Sequence, residues 1–242
     1  AQVAVKNGKF YMIEVNPRAS RTIPFLSKCI GTSLAKIASK IILGKTLKEL
    51  GLGAEIMPTN YAVKAPVFPF NKFRKVDPIL GPEMKSTGEV MGQGDSFGEA
   101  FGKAVRGAGE KIPKGGNVFV SVKDTDKKHL PDLCKKLIDL GFEVIATKGT
   151  AKALEGTDVK VKTINKVLEG RPHIVDAILN KEINMIINTT EGRQATKDSA
   201  SIRRSALEHN VFCTTTISGG FAIVESLEKG AENWTFKSLQ SS

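Results

Sequence analysis

In the second half of the chain, short apolar runs rich in β-branched residues alternate with stretches whose apolar positions recur every three or four residues. Residues 118–122, 143–146, 159–163, 185–188 and 211–214 predict strands. Between them, residues 127–140, 150–154, 174–180 and 199–209 predict helices, and a last helix is expected over 221–227. Strand–helix alternation of this kind predicts a parallel sheet covered by helices. In such α/β folds, ligands sit beyond the carboxyl ends of the strands.

The first half reads differently. Val3-Ala4-Val5 and the run from Phe10 to Val15 flank Asn7-Gly8, a strong turn signal, so residues 1–16 predict a β-hairpin. A helix is expected over 34–43, ending at Gly44. Residues 51–98 are rich in Pro and Gly, with short strands expected at 61–63 and 67–70. Residues 96–105 predict a short helix. The Gly-rich segment 107–116 marks a boundary, dividing the chain into domains 1–108 and 109–242. No internal repeat is visible.

Composition narrows the class. With 40% hydrophobic and 25% charged residues, the 242-residue chain has an ordinary globular balance. No apolar run approaches the roughly 20 residues of a membrane span. Residues 1–6 carry neither a signal nor a transit pattern and no initiator Met, which suggests a chain cut inside a domain. Cys29, Cys134 and Cys213 are far apart and form no C-x-x-C pair. They point to reduced thiols in a cytoplasm rather than a disulfide framework or a zinc site. The net charge is +11, and residues 1–50 alone hold nine Lys/Arg against two Asp/Glu. A basic chain expects anionic partners. One Trp and two Tyr leave few platforms for stacking bases, so phosphorylated metabolites are favoured over nucleic acid.

Two groups of residues carry candidate chemistry. Strand residues two apart share a face, so Met12, Glu14 and Asn16 project together. A carboxylate and an amide oxygen suit a hard cation such as Mg²⁺. Arg18, beyond Pro17, offers a planar fork to a phosphate. Gln2 joins the face with a three-residue hairpin loop; a two-residue loop places it opposite Ile13, on the other face. The plainer alternative is a polar strand edge in water.

The second group lies at strand ends. Thr147-Lys148-Gly149-Thr150 follows the second strand of the sheet, Lys166 the third, and Asn188-Thr189-Thr190 the fourth; Lys127 starts the helix after the first. Hydroxyls, amides and lysines on one sheet edge can converge on a phosphate. The alternative for Thr150 and Thr190 is a helix N-cap. His173 reads as a cap, His129 and His209 as surface residues. Arg203-Arg204, Asn71, Lys72 and Glu83 read as turn or salt-bridge residues. Lys36, Lys40, Lys45 and Lys48 read as a solvated helix face and its exit.

The strings themselves resemble a known family. The stretch Ile13-Glu14-Val15-Asn16-Pro17-Arg18-Ala19-Ser20-Arg21-Thr22 is similar to the segment that ends the nucleotide site of ATP-grasp enzymes. Together with Pro24–Lys28, Phe70-Asn71-Lys72-Phe73 and the run from Asp77 to Gly92, it resembles the second ATP-grasp half of the carbamoyl-phosphate synthetase large subunit. Ala146–Ala151, Asn165–His173, Ile187–Thr190 and Ile202–Ala206 resemble the methylglyoxal-synthase-like domain of that family. The fold implied is the C-terminal part of an ATP-grasp domain followed by a Rossmann-like domain with a five-stranded parallel sheet.

The resemblance implies roles for matched positions. Gln2, Glu14 and Asn16 would hold the Mg²⁺ or Mn²⁺ that bridges ATP phosphates, with Gln2 and Glu14 binding ATP through the metal. Arg18 would steady the transferring phosphoryl group while carbamate is phosphorylated. Ser121, Lys127, Thr147, Thr150, Lys166, Asn188 and Thr190 would bind nucleotide effectors such as UMP and IMP. Thr215 matches an ornithine site, but Ala65 stands where a Glu is common there, which argues against ornithine activation. The implied partners are the N-terminal remainder of the large subunit, a glutaminase small subunit and a higher oligomer of such heterodimers. The implied setting is cytoplasmic, serving pyrimidine and arginine biosynthesis, with neither nucleic acid nor membrane as partner. The chain alone, lacking the ATP-grasp lid and phosphate loop, is expected to be inactive. The alternatives are a non-catalytic nucleotide-binding regulatory module and a free-standing methylglyoxal-synthase relative.

Overall fold

The computed structural model describes residues 1–72, 77–80, 85–230, 233–236 and 238. Phe73 and Gly81-Pro82-Glu83-Met84, parts of the strings above, lie outside the described residues. The chain forms two units, with the division after Thr59.

Residues 1–59 begin with a hairpin of β1 (Gln2–Lys6) and β2 (Lys9–Glu14). Asn7 and Gly8 both adopt positive φ, 51° and 72°, the backbone that a two-residue hairpin turn demands. Two helices follow, α1 (Thr22–Cys29) and α2 (Leu34–Ile42). Helix α2 starts where expected, with the Ser33 hydroxyl accepting from the Lys36 N–H. Helix α1 was not expected; Pro24 lies in its first turn, where the missing N–H costs nothing. Val3, Val5, Phe10, Tyr11, Met12, Ile13 and Val15 are all exposed, so apolar residues show on both faces of the hairpin.

Residues 60–236 form the second unit. It opens with β3 (Tyr61–Val67), antiparallel to β4 (Gly88–Gly94), and then α3 (Phe97–Gly107). Separate strands were expected at 61–63 and 67–70; a single strand runs through Pro66 and ends at Val67 instead. A two-stranded sheet tolerates the proline because each strand has an unpaired side.

The main sheet holds β5 (Gly116–Ser121), β6 (Phe142–Thr147), β7 (Lys162–Ile164), β8 (Met185–Asn188) and β9 (Phe212–Thr214). All five are parallel, in the order β7-β6-β5-β8-β9. The helices between them are α4 (Leu130–Asp139), α5 (Lys148–Lys152), α6 (Ile174–Leu179), α7 (Arg193–Asp198) and α8 (Ala200–Glu208), and α9 (Ile217–Lys229) ends the unit. The expected five-stranded parallel sheet is present. Helix α7 and strand β4 were not anticipated; neither carries a regular apolar period.

The central strands of the sheet are buried on both faces, as in parallel sheets generally. Val118 and Val120 join Met185 and Ile187 in one core with Leu130, Leu133 and Leu137 of α4 and Ile223 of α9. Phe119 and Ile186 point the other way, onto Ile174 and Ile178 of α6 and Ile202 and Ala206 of α8. Each fully buried Val, Leu or Ile stabilises the unit by about 1.5–3 kcal/mol.

The contact division at 59/60 differs from the expected 108/109 because α3 lies on α9. A Cβ on Gly98 would stand 2.3 Å from the Glu225 carbonyl oxygen, and one on Gly102 2.2 Å from Ser226 Oγ. Only glycine allows so close a helix approach.

Candidate functional site

The first candidate lies at the end of the hairpin. Its turn has two residues, with Lys6 opposite Lys9 and Val3 opposite Met12. A bulge then makes Ile13 the extra residue, and Gln2 falls opposite Glu14. The three-residue loop considered from sequence is therefore absent, yet the pairing it was invoked for is present. Asn16 Nδ2 donates to Glu14 Oε1 at 2.9 Å, so the two share a face as expected. Arg18 follows in a turn closed by its own N–H to the Asn16 carbonyl at 2.8 Å. All four residues are exposed.

Gln2, Glu14 and Asn16 offer one carboxylate and two amide oxygens. These are hard donors of the kind Mg²⁺ takes when phosphates complete its shell. The residues present therefore fit such an ion. Among the described residues, no group of three or more His, Cys, Asp or Glu gathers as a metal site.

The second candidate lies at the carboxyl ends of the main sheet. Parallel register places Ser121 at the end of β5 beside Asn188 at the end of β8. Thr147 ends β6; its hydroxyl donates to Thr150 Oγ1 at 3.1 Å and lies 3.5 Å from Ser121 Oγ. Thr147, Thr150 and Asn188 are each 2% exposed. Thr150 is no N-cap: it sits inside α5 and accepts the Val122 N–H at 3.3 Å, tying that helix to the end of β5. Thr190 is no N-cap either, since Gly192 holds that place for α7; its hydroxyl lies 3.5 Å from Thr196 Oγ1. Among the described residues, Asn188 Nδ2 is buried without an acceptor.

Charge surrounds this edge. Lys127 Nζ meets Asp124 Oδ1 at 2.7 Å. That hydrogen bond and charge, with the charge of Lys166 behind them, hold the Asp124 carboxyl below its usual range. Lys127, Asp124 and Lys166 thus form one electrostatic group. Lys166 is exposed, and its backbone N–H donates to Glu169.

Sequence reasoning missed Asp124 and the structural part played by Thr189. The Thr189 hydroxyl accepts the Lys123 N–H at 3.0 Å, and its own N–H donates to the Ser121 carbonyl at 2.9 Å. Their position directly after β5 and β8 was the available signal. His173 does cap α6: its ring accepts from the Asp176 N–H, and the Asp176 carboxylate accepts from the His173 N–H. Arg203 pairs with Asp77. Thr215 is exposed just beyond β9, and Ala65 lies in β3 opposite Val90.

Comparison with known proteins gives matches to both parts. The family described as "Carbamoyl-phosphate synthase L chain, ATP binding domain" matches residues 1–50, and "MGS-like domain" matches residues 129–215. The carbamoyl phosphate synthase large chain of Pseudomonas putida is 62% identical over 239 residues, 99% of this chain and 22% of that protein. Its counterpart in Pseudomonas syringae pv. tomato is 60% identical over the same shares. This chain thus spans about a fifth of the length of these relatives. A solved methylglyoxal synthase from Elizabethkingia anophelis NUHP1 aligns with 48% of this chain and 80% of its own. Its TM-score is 0.38 at 21% identity. No helix among the described residues is long and apolar enough to cross a membrane.

Proposed function

We propose that this chain, which belongs to the carbamoyl phosphate synthase large-chain family, supplies one wall of the carbamate-phosphorylating site and a nucleotide-binding control domain. The convergence of Ser121, Thr147, Thr150 and Asn188 on one sheet edge, with Lys127 and Lys166 around it, supports the control role. The lysines meet the phosphate of a UMP- or IMP-type effector. The buried hydroxyls and the Asn188 amide fix its orientation, because a buried donor left unpaired costs about 1–3 kcal/mol. Thr190 flanks them at the end of β8. Residues 109–242 are the domain that carries this control.

At the hairpin, Gln2, Glu14 and Asn16 would hold Mg²⁺ or Mn²⁺, which would supply neutralising charge for the phosphoryl oxygens. Glu14 accepts from Asn16, which sets the direction of its carboxylate. Arg18 presents its guanidinium to the transferring phosphoryl group. The exposed apolar residues of the hairpin are covered, in this reading, by the rest of a large chain that partners a glutaminase subunit in a cytoplasmic oligomer of heterodimers. The product feeds pyrimidine and arginine synthesis.

Calorimetry of the whole chain with UMP and IMP tests the control role. The whole chain is needed because α3 packs on α9 across the 108/109 boundary. Saturable binding, weakened by Lys166→Ala, is the expected result. Absence of binding by either nucleotide overturns the control role without touching the hairpin. Carbamoyl phosphate formed by this chain alone would overturn the view that it holds only one wall.

A further inference from the structure

The end of the second unit opposite the effector edge holds a cavity of about 810 Å³. Val105, Ile112, Leu140, Phe142, Leu227 and Trp234 give it an apolar lining. Arg106, Lys111 and Lys114 stand at it as cations, against one acid, Glu110. Phe142 begins β6, whereas Thr147 of the effector edge ends it. Five residue steps of strand, roughly 17 Å, separate the two places.

The wall that carries Trp234 is built rather than incidental. The Thr235 N–H donates to Glu99 Oε1 at 3.2 Å, and Lys103 Nζ donates to the Thr235 carbonyl. Lys103 also lies 5.2 Å from the centre of the Phe236 ring and pairs with Glu99 at 2.7 Å. The segment 233–236 is thereby strapped to α3. The Trp234 ring lies where Gly102 leaves room, a Cβ there standing 2.4 Å from Cζ2. Among the described residues its indole N–H is buried without an acceptor. Glu110 is open to solvent at its surface, but surrounding atoms desolvate its carboxyl and push its pKa up.

We propose that this cavity is a second small-molecule site, for an amphipathic anion: an apolar, preferably aromatic, body carrying a carboxylate, sulfonate or phosphate. Pockets of several hundred Å³ with apolar walls and a few polar anchors bind ligands of this kind. The apolar body lies against Phe142, Leu227 and Trp234, and the anion faces Arg106 and Lys111. A ligand there touches both α3 and the amino-terminal edge of the sheet, so it would bear on the junction that leads into β5.

Trp234 is the only tryptophan in the chain, which supplies the readout. The whole chain is titrated with anilinonaphthalenesulfonate under selective excitation of the indole. Saturable energy transfer from Trp234 is expected. Arg106→Gln with Lys111→Gln should weaken it by about tenfold, the effect of removing two partly solvated charge contacts. Uncharged phenylnaphthylamine should bind more weakly than the sulfonate, and saturating UMP should leave the transfer in place. Non-saturable or absent transfer overturns the proposal. So does transfer unchanged in the double variant, or equal binding of the uncharged probe. Loss of transfer on adding UMP would assign the probe to the effector edge and also overturn it. Failure of UMP to bind concerns the effector edge alone.

Discussion

Arg203 and Asp77, 126 residues apart, form a bidentate ion pair: Nε donates to Oδ1 at 2.8 Å and Nη2 to Oδ2 at 2.6 Å. Arg203 is 1% exposed, and it also donates to the Thr196 carbonyl at 2.8 Å. The pair ties α8 to the segment before β4. Burial alone would raise the pKa of Asp77, but the hydrogen bond and charge of Arg203 outweigh it and hold the carboxyl below its usual range.

Removing the carboxylate by Asp77→Ala strands a buried guanidinium, which should cost about 3–5 kcal/mol in urea unfolding. The pH dependence has a definite sign. A lowered folded pKa means the stabilisation is present above the unfolded value, near 3.9, and is lost as pH falls through the folded value. Stability should therefore fall more steeply below about pH 5 in the parent than in Asp77→Asn. Parallel curves would show that the pair contributes no net stability.

Asp124 occupies Lys127 before any effector arrives. If the effector reading holds, Asp124→Asn should tighten UMP binding by about two- to fivefold, a scale set by exposed ion pairs. Calorimetry across a salt series checks this, since the gain should shrink as screening rises. Weaker binding in the variant would mean that Asp124 orients Lys127 rather than competing for it.

Thr150→Val removes the acceptor for the Val122 N–H and the partner of the Thr147 hydroxyl. A loss of about 1–3 kcal/mol in stability is expected for the unpaired buried donor. Nucleotide binding should weaken as well. Unchanged affinity would confine Thr150 to holding α5 against β5.

Gly102→Ala sets a methyl against Ser226 Oγ and the Trp234 ring. Overpacking of this kind costs roughly 1–3 kcal/mol. The ring should be pushed outward, so Trp emission should shift to the red. An unshifted spectrum would show that α3 and α9 separate instead.

Burial pushes the Cys134 and Cys213 thiols up to about 12 and raises Cys29 to a lesser degree. At pH 8, a colorimetric disulfide reagent should therefore react first at Cys29, more slowly at half-buried Cys213, and at buried Cys134 only on denaturation. Equal rates for all three would contradict the packing around α4 and β9.

The five parallel strands were legible because β-branched runs mark buried strands and helical spacing marks what covers them. Val118, Phe119 and Val120 show why the reading was incomplete: periodicity says that all three are buried, not which core each enters. Strand β4, with Gly88, Gly92 and Gly94, carries too weak an apolar signal to be seen without its partner β3. Helix α7 is short and polar, and was missed for a similar reason.

Residue chemistry and local order determined the main elements, the side chains at the strand ends and the metal-type donors at Glu14 and Asn16. These follow from periods of two and 3.6 and from which residues precede a turn. Tertiary structure decided what depends on register and on distant partners. The bulge at Ile13 brought Gln2 opposite Glu14, although the loop between their strands has only two residues. Thr150 became a buried acceptor for Val122 rather than a cap, and Arg203 found Asp77 across 126 residues. Such pairings are chosen by competition for burial and hydrogen bonds across the whole chain, which no local window of sequence contains.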